Sequence, residues 1–173
     1  RDVIGRFAGL RPLIAGEAGA SSDLSRRHRV VERDDGLLTL VGGKLTTYRK
    51  MAEDLVDVIA ARPGVSAGDC VSARTALVGA PGDKRRPPGI SSHLWSRYGA
   101  EAEAVWALAE SEAELTAPIV PGLPYLRAEL AWAVAHECAL VAEDLVDRRT
   151  RIGLVPEDRE AALPVAEAAL TRA

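Results

Sequence analysis

The chain has 173 residues, of which 47% are hydrophobic and 27% are charged, and its formal net charge at pH 7 is −3. This length suits one ordinary globular domain or two small ones, and the charge implies no strongly acidic or basic partner. Aromatic residues make up only 4% of the chain, and the lysines and arginines form no tract interleaved with aromatics. A nucleic-acid partner is therefore not expected.

The two cysteines, Cys70 and Cys138, are isolated and form no C-x-x-C pair. They indicate reduced cytosolic thiols rather than a disulfide framework or a zinc site, so no metal is predicted. No run of about eighteen apolar residues is present, and no signal peptide opens the chain. The opening RDVIGRFAGLRPLI reads as interior sequence, so we expect a piece of a longer protein.

The N-terminal third is predicted to consist mostly of strands. DDG at 34–36 is typical of a hairpin turn between two of them. From Thr46, apolar residues recur with the spacing of an amphipathic helix, which Pro63-Gly64 ends. The predicted strands are residues 3–14, 28–33 and 37–41.

The C-terminal two-thirds is predicted to be helical. Residues 63–90 contain four of the ten prolines and few periodic positions, which indicates a linker. Pro164 is expected to kink or divide the last helix. The predicted helices are one that Ser91-Ser92 caps and that ends at Tyr98, one at 101–115, one at 125–151 with a break near Ala139, and one at 158–172.

The segment VGGKLTTYRK (41–50) places two glycines, a lysine and two threonines between a strand and a helix. The first N–H groups of a helix have no internal partner, and the helix dipole adds partial positive charge there, so this turn is a candidate anion site. It is not a P-loop, because Leu38 and Leu45 occupy the positions of the first glycine and of the Ser or Thr. A plain strand-to-helix turn is the alternative.

Arg11 in GLRPL precedes a proline that forces an extended backbone and so fixes the direction of the side chain. A fixed guanidinium suits a phosphate or a polarised oxygen, although a surface salt bridge is the alternative. The arginines of EDLVDRRTRIG (143–153) lie near a predicted helix end, where cations complement the dipole. For these we favour a structural role.

SRRHRVV (25–31) leads basic residues into a strand. Alternation places Arg26 and His28 on one face and Arg27 and Arg29 on the other. The side chains on one of these faces are expected to line a site. The alternative is a solvated edge strand whose charges prevent aggregation.

Taken together, GLRPL, SRRHRVV and LLTLVGGKLTTYRKMAEDLVD, in that order and spacing, resemble the later part of FAD-dependent glycerol-3-phosphate dehydrogenase. AHECALVAEDLVDRRTRIG is similar to the helical C-terminal domain of that family. The resemblance is weakest in 100–124 and after Pro156. In this family the enzyme oxidises sn-glycerol 3-phosphate to dihydroxyacetone phosphate, and electrons pass through FAD to a membrane quinone.

The resemblance implies an α+β fold. Short strands and the last helix of an FAD-binding and substrate domain (1–62) would precede a linker (63–90) and an all-α helical C-terminal domain (91–173). It also implies site residues. Arg11 would be catalytic at the C2 oxygen of the substrate, Arg26 would bind the substrate phosphate, and Lys44 would serve that phosphate or the flavin. The residues implied to bind the flavin are Gly42, Gly43, Lys44, Leu45 and Thr46.

The chain also departs from the family pattern. It has no G-x-G-x-x-G, so the unit that holds the ADP half of FAD is absent and we expect the isolated chain to be inactive. The EF-hand loop of the mitochondrial branch is missing, which favours a bacterial form. A glycerol-3-phosphate oxidase that uses oxygen and an isolated helical interaction module are the alternatives. We expect a cytoplasmic protein, and the resemblance is compatible with a peripheral position on the inner face of the cell membrane and with a homodimer.

Overall fold

The computed structural model of the chain describes residues 3–10, 28–80, 82 and 85–172. These residues fall into two compact units. The hairpin unit consists of the described residues between 9 and 76, and the helical unit consists of those from 77 onward together with residues 3–8. One antiparallel two-stranded sheet and several helices make up the described residues, which confirms the predicted α+β class. The domain boundaries at 62 and 91 stay a prediction.

The hairpin unit is built on strands β1 (His28–Glu32) and β2 (Leu38–Gly42). Their antiparallel register pairs His28 with Gly42 and Val30 with Leu40. The predicted turn at DDG joins them. It is closed by a hydrogen bond from the Gly36 N–H to the Arg33 carbonyl, at 2.8 Å.

Residues 3–10 were predicted to be part of a strand, and this was wrong because they have no regular secondary structure. The remainder of that predicted strand, 11–14, lies outside the described residues. Strand character in a sequence becomes a strand only where a partner supplies backbone hydrogen bonds. The apolar side chains of Val3, Ile4 and Phe7 are exposed.

Helix α1 (Tyr48–Ala60) follows β2 through a short 3₁₀ turn, Leu45–Thr47. It packs on both strands of the hairpin. Beyond its C-terminus, Arg62 forms an ion pair with Glu32 of β1 at 2.5 Å. The arginine therefore joins the far end of the helix to the hairpin, while the glycine turn joins the near end.

The helical unit packs its apolar side chains into three clusters. Its fully buried side chains include Leu94, Val105, Leu130 and Leu145. No helix in the described part of the chain is long and apolar enough to cross a bilayer. The helices are α2 (Ser92–Tyr98), α3 (Ala102–Ser111), α4 (Arg127–His136) and α5 (Pro156–Arg172), with a π-helical turn at Asp144–Arg149.

The start of α2 is capped as predicted, because Ser91 Oγ accepts a hydrogen bond from the Leu94 N–H at 3.1 Å. The break predicted near Ala139 in the helix of 125–151 is confirmed, because α4 and the π-helical turn Asp144–Arg149 are separate elements. Helix α4 ends at His136, where the left-handed Cys138 (φ 54°) turns the chain. The guanidinium of Arg149 then donates to the Glu137 carbonyl from Nε and Nη2, at 3.0 and 2.6 Å, and satisfies that helix end.

Pro164 does not divide α5, which continues through it. The buried residues of this helix are Ala162 and Ala166, whereas Pro164 is exposed. A proline on the solvent side removes one helical hydrogen bond where water replaces the missing donor, so the helix persists. The packed face of α5 supplies the stabilisation that the proline position loses.

Candidate functional site

The glycine turn joins β2 to α1. Gly42 and Gly43 both have φ 75°, and Lys44 returns the backbone to an extended conformation. The first helical hydrogen bond runs from the Thr47 N–H to the Lys44 carbonyl, at 2.9 Å. The N–H groups of Leu45 and Thr46 therefore precede the helical ladder, and neither donates a hydrogen bond within the part of the chain that the structure describes.

The hydroxyl of Thr47 fixes this turn from the helix side. Its Oγ1 accepts from the Lys44 N–H at 3.0 Å and lies 2.9 Å from the Lys44 carbonyl, to which it donates. Lys44 is thereby held on both backbone groups. Thr47 is also the N-cap residue of α1, but its side chain makes no cap bond to that helix and bonds the start of the turn instead.

Gly43 is the point of closest approach in the turn. A Cβ at this position would lie 2.3 Å from Met51 Sδ and 3.3 Å from the Cβ of His28. The absence of a side chain therefore allows the turn to lie directly on α1 and β1. It also allows the left-handed backbone without strain.

Substituting Gly43 by alanine is expected to destabilise the hairpin unit by about 1–2 kcal/mol through the left-handed backbone, with a further cost for displacing Met51. Gly36→Ala is the matched control, because Gly36 is also left-handed (φ 82°) but has open space around its Cβ position. Hydrogen exchange of the β2 and α1 peptides measures both variants. Equal protection in the two variants would show that contact with Met51 contributes nothing.

The surface around the turn combines polar and apolar groups. Lys44, Leu45 and Thr46 are exposed, with 88% of Leu45 accessible, and Tyr48 is half exposed. Free amides at the start of a helix attract negative charge, and the exposed apolar side chains beside them favour contact with an apolar ring. A planar ring with a polar, electron-rich edge fits this combination.

A connected set of charged side chains lies on α1, after the turn. Asp54 accepts a hydrogen bond from His28 Nε2 at 2.6 Å and forms an ion pair with Lys50 Nζ at 2.8 Å. Lys50 also contacts Glu53, which pairs with Arg49 at 2.5 Å. The hydrogen bond from Lys50, followed by that from His28, lowers the pKa of Asp54 below its usual value, so this carboxylate is ionised at neutral pH.

The sequence-predicted site residues divide into two groups. Gly42, Gly43, Lys44, Leu45 and Thr46 lie together on the turn. Arg11 and Arg26 lie outside the described residues, so their relation to the turn stays a prediction. The bond between His28 and Asp54 was missed, because 26 residues separate them and no local pattern connects a strand residue with that helix position.

A second polar cluster lies in the helical unit around Glu129, whose side chain is fully buried. Its carboxylate accepts from His93 Nε2 at 2.9 Å and from the Tyr98 hydroxyl at 3.2 Å, and it also accepts from the Leu126 N–H at 2.9 Å. Arg97 Nε lies 3.0 Å from Glu129 Oε2, as an ion pair rather than an aligned hydrogen bond. The sequence signal was the glutamate three residues after Leu126, at the N3 position of α4.

The arginines near 148 have the structural role that the sequence favoured. Arg148 forms an ion pair with Asp144 at 2.9 Å, one helical turn away. Arg149 donates to the carbonyl at the end of α4, as described above. Asp147 binds Arg159 through both carboxylate oxygens, each at 2.9 Å, and this lowers the pKa of Asp147. The cluster therefore connects the π-helical turn to α5.

Comparison with known proteins identifies relatives for nearly the whole chain. Residues 70–172 match the family model described as the C-terminal domain of alpha-glycerophosphate oxidase. The chain is 46% identical to glycerol-3-phosphate dehydrogenase 1 of Mycobacterium tuberculosis, over 99% of this chain and 35% of that protein. It is 37% identical to the glycerol-3-phosphate dehydrogenase of Mycobacterium leprae, over 88% of this chain and 28% of that protein.

A more distant relative is the probable mitochondrial glycerol-3-phosphate dehydrogenase of Dictyostelium discoideum, with 33% identity over 94% of this chain and 28% of that protein. The chain thus spans 35% or less of the length of these relatives. The resemblance to glycerol-3-phosphate dehydrogenase that the sequence motifs indicated is confirmed. Since the family model matches most of its length, the chain belongs to the family of the C-terminal domain of alpha-glycerophosphate oxidase.

Proposed function

We propose that the chain forms the C-terminal part of a bacterial FAD-dependent dehydrogenase that oxidises sn-glycerol 3-phosphate to dihydroxyacetone phosphate and passes the electrons to a quinone. The observation that carries this proposal is the exposed glycine turn at the start of α1. It lies in a chain whose relatives are named glycerol-3-phosphate dehydrogenases. On its own the chain is expected to be inactive, because it contains no G-x-G-x-x-G for the ADP half of the cofactor.

The donors and the exposed apolar side chains of the turn support the proposed flavin. The free amides of Leu45 and Thr46 suit the polar edge of a flavin ring, and exposed Leu45 and Tyr48 offer apolar surface beside them. A flavin held there would supply the hydride acceptor, and the negative charge of its reduced form would lie at its polar edge. The amides, the helix dipole and Lys44 are placed to stabilise that charge, as donors of an oxyanion hole do.

The proposed substrate residues are Arg11, Arg26 and Lys44. Arg11 would polarise the C2 oxygen of glycerol 3-phosphate as its proton leaves, and Arg26 would bind the phosphate. Lys44 lies on the turn and serves either the phosphate or the flavin. The support for Arg11 and Arg26 is the match of GLRPL and SRRHRVV to the family motifs.

The test uses the full-length protein that contains these residues, purified with its flavin. Under anaerobic conditions, glycerol 3-phosphate is expected to bleach the flavin absorbance, and an added quinone is expected to restore it. Glycerol 2-phosphate is the matched control, because it carries a phosphate but lacks a C2 hydroxyl. A flavin band that glycerol 3-phosphate leaves unchanged would overturn the proposed reaction. Rapid hydrogen peroxide formation in air with no reaction toward quinone would identify an oxidase instead.

The second candidate function is that the helical unit serves as a module for docking or assembly. The observation that favours it is the exposed apolar pair Leu140 and Val141, which are 80% and 49% accessible in the loop after α4. Arg148 lies exposed on the π-helical turn that follows this loop. A cytoplasmic protein bound to the inner face of the membrane, or a homodimer, would cover this apolar surface.

Sedimentation of the 173-residue chain with and without anionic lipid vesicles tests this role. Leu140→Ser/Val141→Ser is the informative variant, and Leu154→Ser, at another exposed leucine, is the control. Loss of vesicle binding in the first variant alone is expected for membrane docking. A monomeric chain that binds no vesicles would contradict both forms of the module.

A further inference from the structure

We propose that His28 and Asp54 form a positioning pair that holds the Gly42–Gly43 turn in the arrangement required for the flavin. This inference rests on the proposed function and adds to it a pair of residues that lie outside the turn. Neither residue belongs to the predicted catalytic or binding set. Both belong to the hairpin unit, and both are described in the structure.

The first step of the argument is the position of His28 relative to the turn. His28 opens β1 and is the direct antiparallel partner of Gly42, the last residue of β2. Its Cβ would lie only 3.3 Å from a Cβ on Gly43. His28 therefore borders both glycines of the turn.

The second step is the bond from His28 to α1. His28 Nε2 and Asp54 Oδ2 are 2.6 Å apart, and only 21% and 34% of the two side chains are accessible to solvent. An ionised carboxylate can only accept, so the proton of this bond resides on Nε2. A carboxylate that fixes the tautomer and orientation of a histidine ring is a recurrent device in functional sites.

The third step is the restraint on Asp54 itself. Its second oxygen, Oδ1, is held by Lys50 Nζ at 2.8 Å, one helical turn earlier on α1. The carboxylate therefore has a fixed direction as well as a fixed charge. Among the described residues, Glu53 pairs with Lys50 at 3.3 Å and with Arg49 at 2.5 Å, and it does not contact His28. It is thus a neighbouring acid whose removal leaves the bond to His28 in place.

These contacts give the hairpin and α1 a second connection beside the turn. The backbone connects β2 to α1 through the turn, from Gly42 to Tyr48. The bond between His28 and Asp54 connects the paired strand β1 to the same helix through side chains. Two glycines give the turn many accessible conformations, and such a restraint selects one of them. The selected conformation fixes the direction of the free amides of Leu45 and Thr46, and preorganised donors stabilise developing charge best.

The test compares His28→Asn with His28→Gln in the full-length flavoprotein. The glutamine amide nitrogen takes nearly the place of Nε2 and still donates to Asp54, whereas the shorter asparagine does not reach it. The midpoint potential of the bound flavin is measured with reference dyes, and hydrogen exchange of the 42–48 peptide is measured in the apoprotein. We expect His28→Asn to weaken the preference for reduced flavin about tenfold, which is a potential about 30 mV more negative for a two-electron couple.

In the same variant, the amides of the turn are expected to exchange about tenfold faster. His28→Gln should retain the wild-type potential and exchange, and so should Glu53→Gln. Wild-type potential and exchange in His28→Asn would overturn the proposal. A His28→Gln protein as impaired as His28→Asn would also overturn it, because the donated bond would then not be the property that matters.

Neither readout requires the proposed substrate. A full-length protein that binds flavin but does not oxidise glycerol 3-phosphate would refute the proposed reaction, while the dye-measured potential would still decide the role of the pair. Conversely, full oxidation of glycerol 3-phosphate with unchanged potentials in both His28 variants would refute only the positioning role. A full-length protein that binds no flavin would overturn both proposals.

Discussion

Replacing Glu129 by alanine is expected to lower the free energy of unfolding of the helical unit by about 3–5 kcal/mol, because it leaves a buried ion pair without its acid. The carboxylate is inaccessible to solvent and contacts Arg97 and His93 of α2 as well as the hydroxyl of Tyr98. Removal of the acid leaves the guanidinium of Arg97, whose side chain is only 24% accessible, without its carboxylate partner. The N–H of Leu126, at the start of α4, loses its acceptor as well.

The protonation states of Tyr98 and Glu129 agree with the hydrogen bond between them. Burial, and next the Glu129 carboxylate, raise the pKa of Tyr98, so its hydroxyl keeps the proton that it donates. The guanidinium of Arg97 also donates to the Arg149 carbonyl at the end of the π-helical turn. Glu129 therefore organises contacts among α2, α4 and the segment after α4, and its loss affects all three.

Urea denaturation followed by tryptophan fluorescence measures this effect, because Trp95, Trp106 and Trp132 all lie in the helical unit. Glu114→Ala is the matched control. Glu114 is an acid that pairs with Arg127 at 2.7 Å and with Arg172, but it is exposed, and exposed ion pairs contribute little. Glu129→Gln should be intermediate, since an amide oxygen still accepts one hydrogen bond. Equal midpoints for Glu129→Ala and Glu114→Ala would contradict the buried-pair argument.

Arg26→Ala in the full-length enzyme is expected to raise the KM for glycerol 3-phosphate about 30-fold, whereas Arg11→Ala is expected to lower kcat. Loss of a bidentate contact between arginine and phosphate in a partly desolvated site costs about 2 kcal/mol, and about 1.4 kcal/mol corresponds to tenfold in binding. A contact to the reacting oxygen acts mainly in the transition state, so its loss lowers turnover. Steady-state kinetics with varied substrate separates the two effects.

Arg29→Ala is the control for Arg26. Along β1, His28 and Val30 are half-buried whereas Arg29 is exposed, so Arg29 lies on the opposite face from His28. Its removal should leave both kinetic constants unchanged. Unchanged kinetics in both Arg26→Ala and Arg11→Ala would contradict their assignment. An equal loss in Arg29→Ala would indicate a general effect of basic charge rather than a specific contact.

The parts of the fold that the sequence predicts well are governed by short-range rules. The DDG turn and the alternation around it predict the hairpin. The spacing from Thr46 predicts α1, and the serine before Leu94 predicts the cap of α2. The turn at Gly42–Gly43 was recognisable because glycine and the start of a helix have local consequences. In each case the deciding interaction joins residues a few positions apart.

The errors arose where distant contacts decide. The break near Ala139 was predicted, but the hydrogen bond from the Arg149 guanidinium to the Glu137 carbonyl, twelve residues away, was not. Pro164 was expected to be disruptive, yet its exposed position on α5 lets the packed face maintain the helix. The contacts of Asp54 with His28 and of Glu129 with His93 join residues 26 and 36 positions apart. No window of sequence contains both partners of either pair.

The two-stranded sheet has a practical consequence for handling this polypeptide. Strands β1 and β2 pair only with each other among the described residues, so each presents an outer edge of unpaired backbone groups. Such edges act as templates for strand addition between molecules, and the packing of α1 on the hairpin leaves the backbone groups of the edges uncovered by another strand. Concentrated stocks of the isolated 173-residue chain are therefore prone to form fibrils or precipitate through the hairpin, even while the helical unit stays folded.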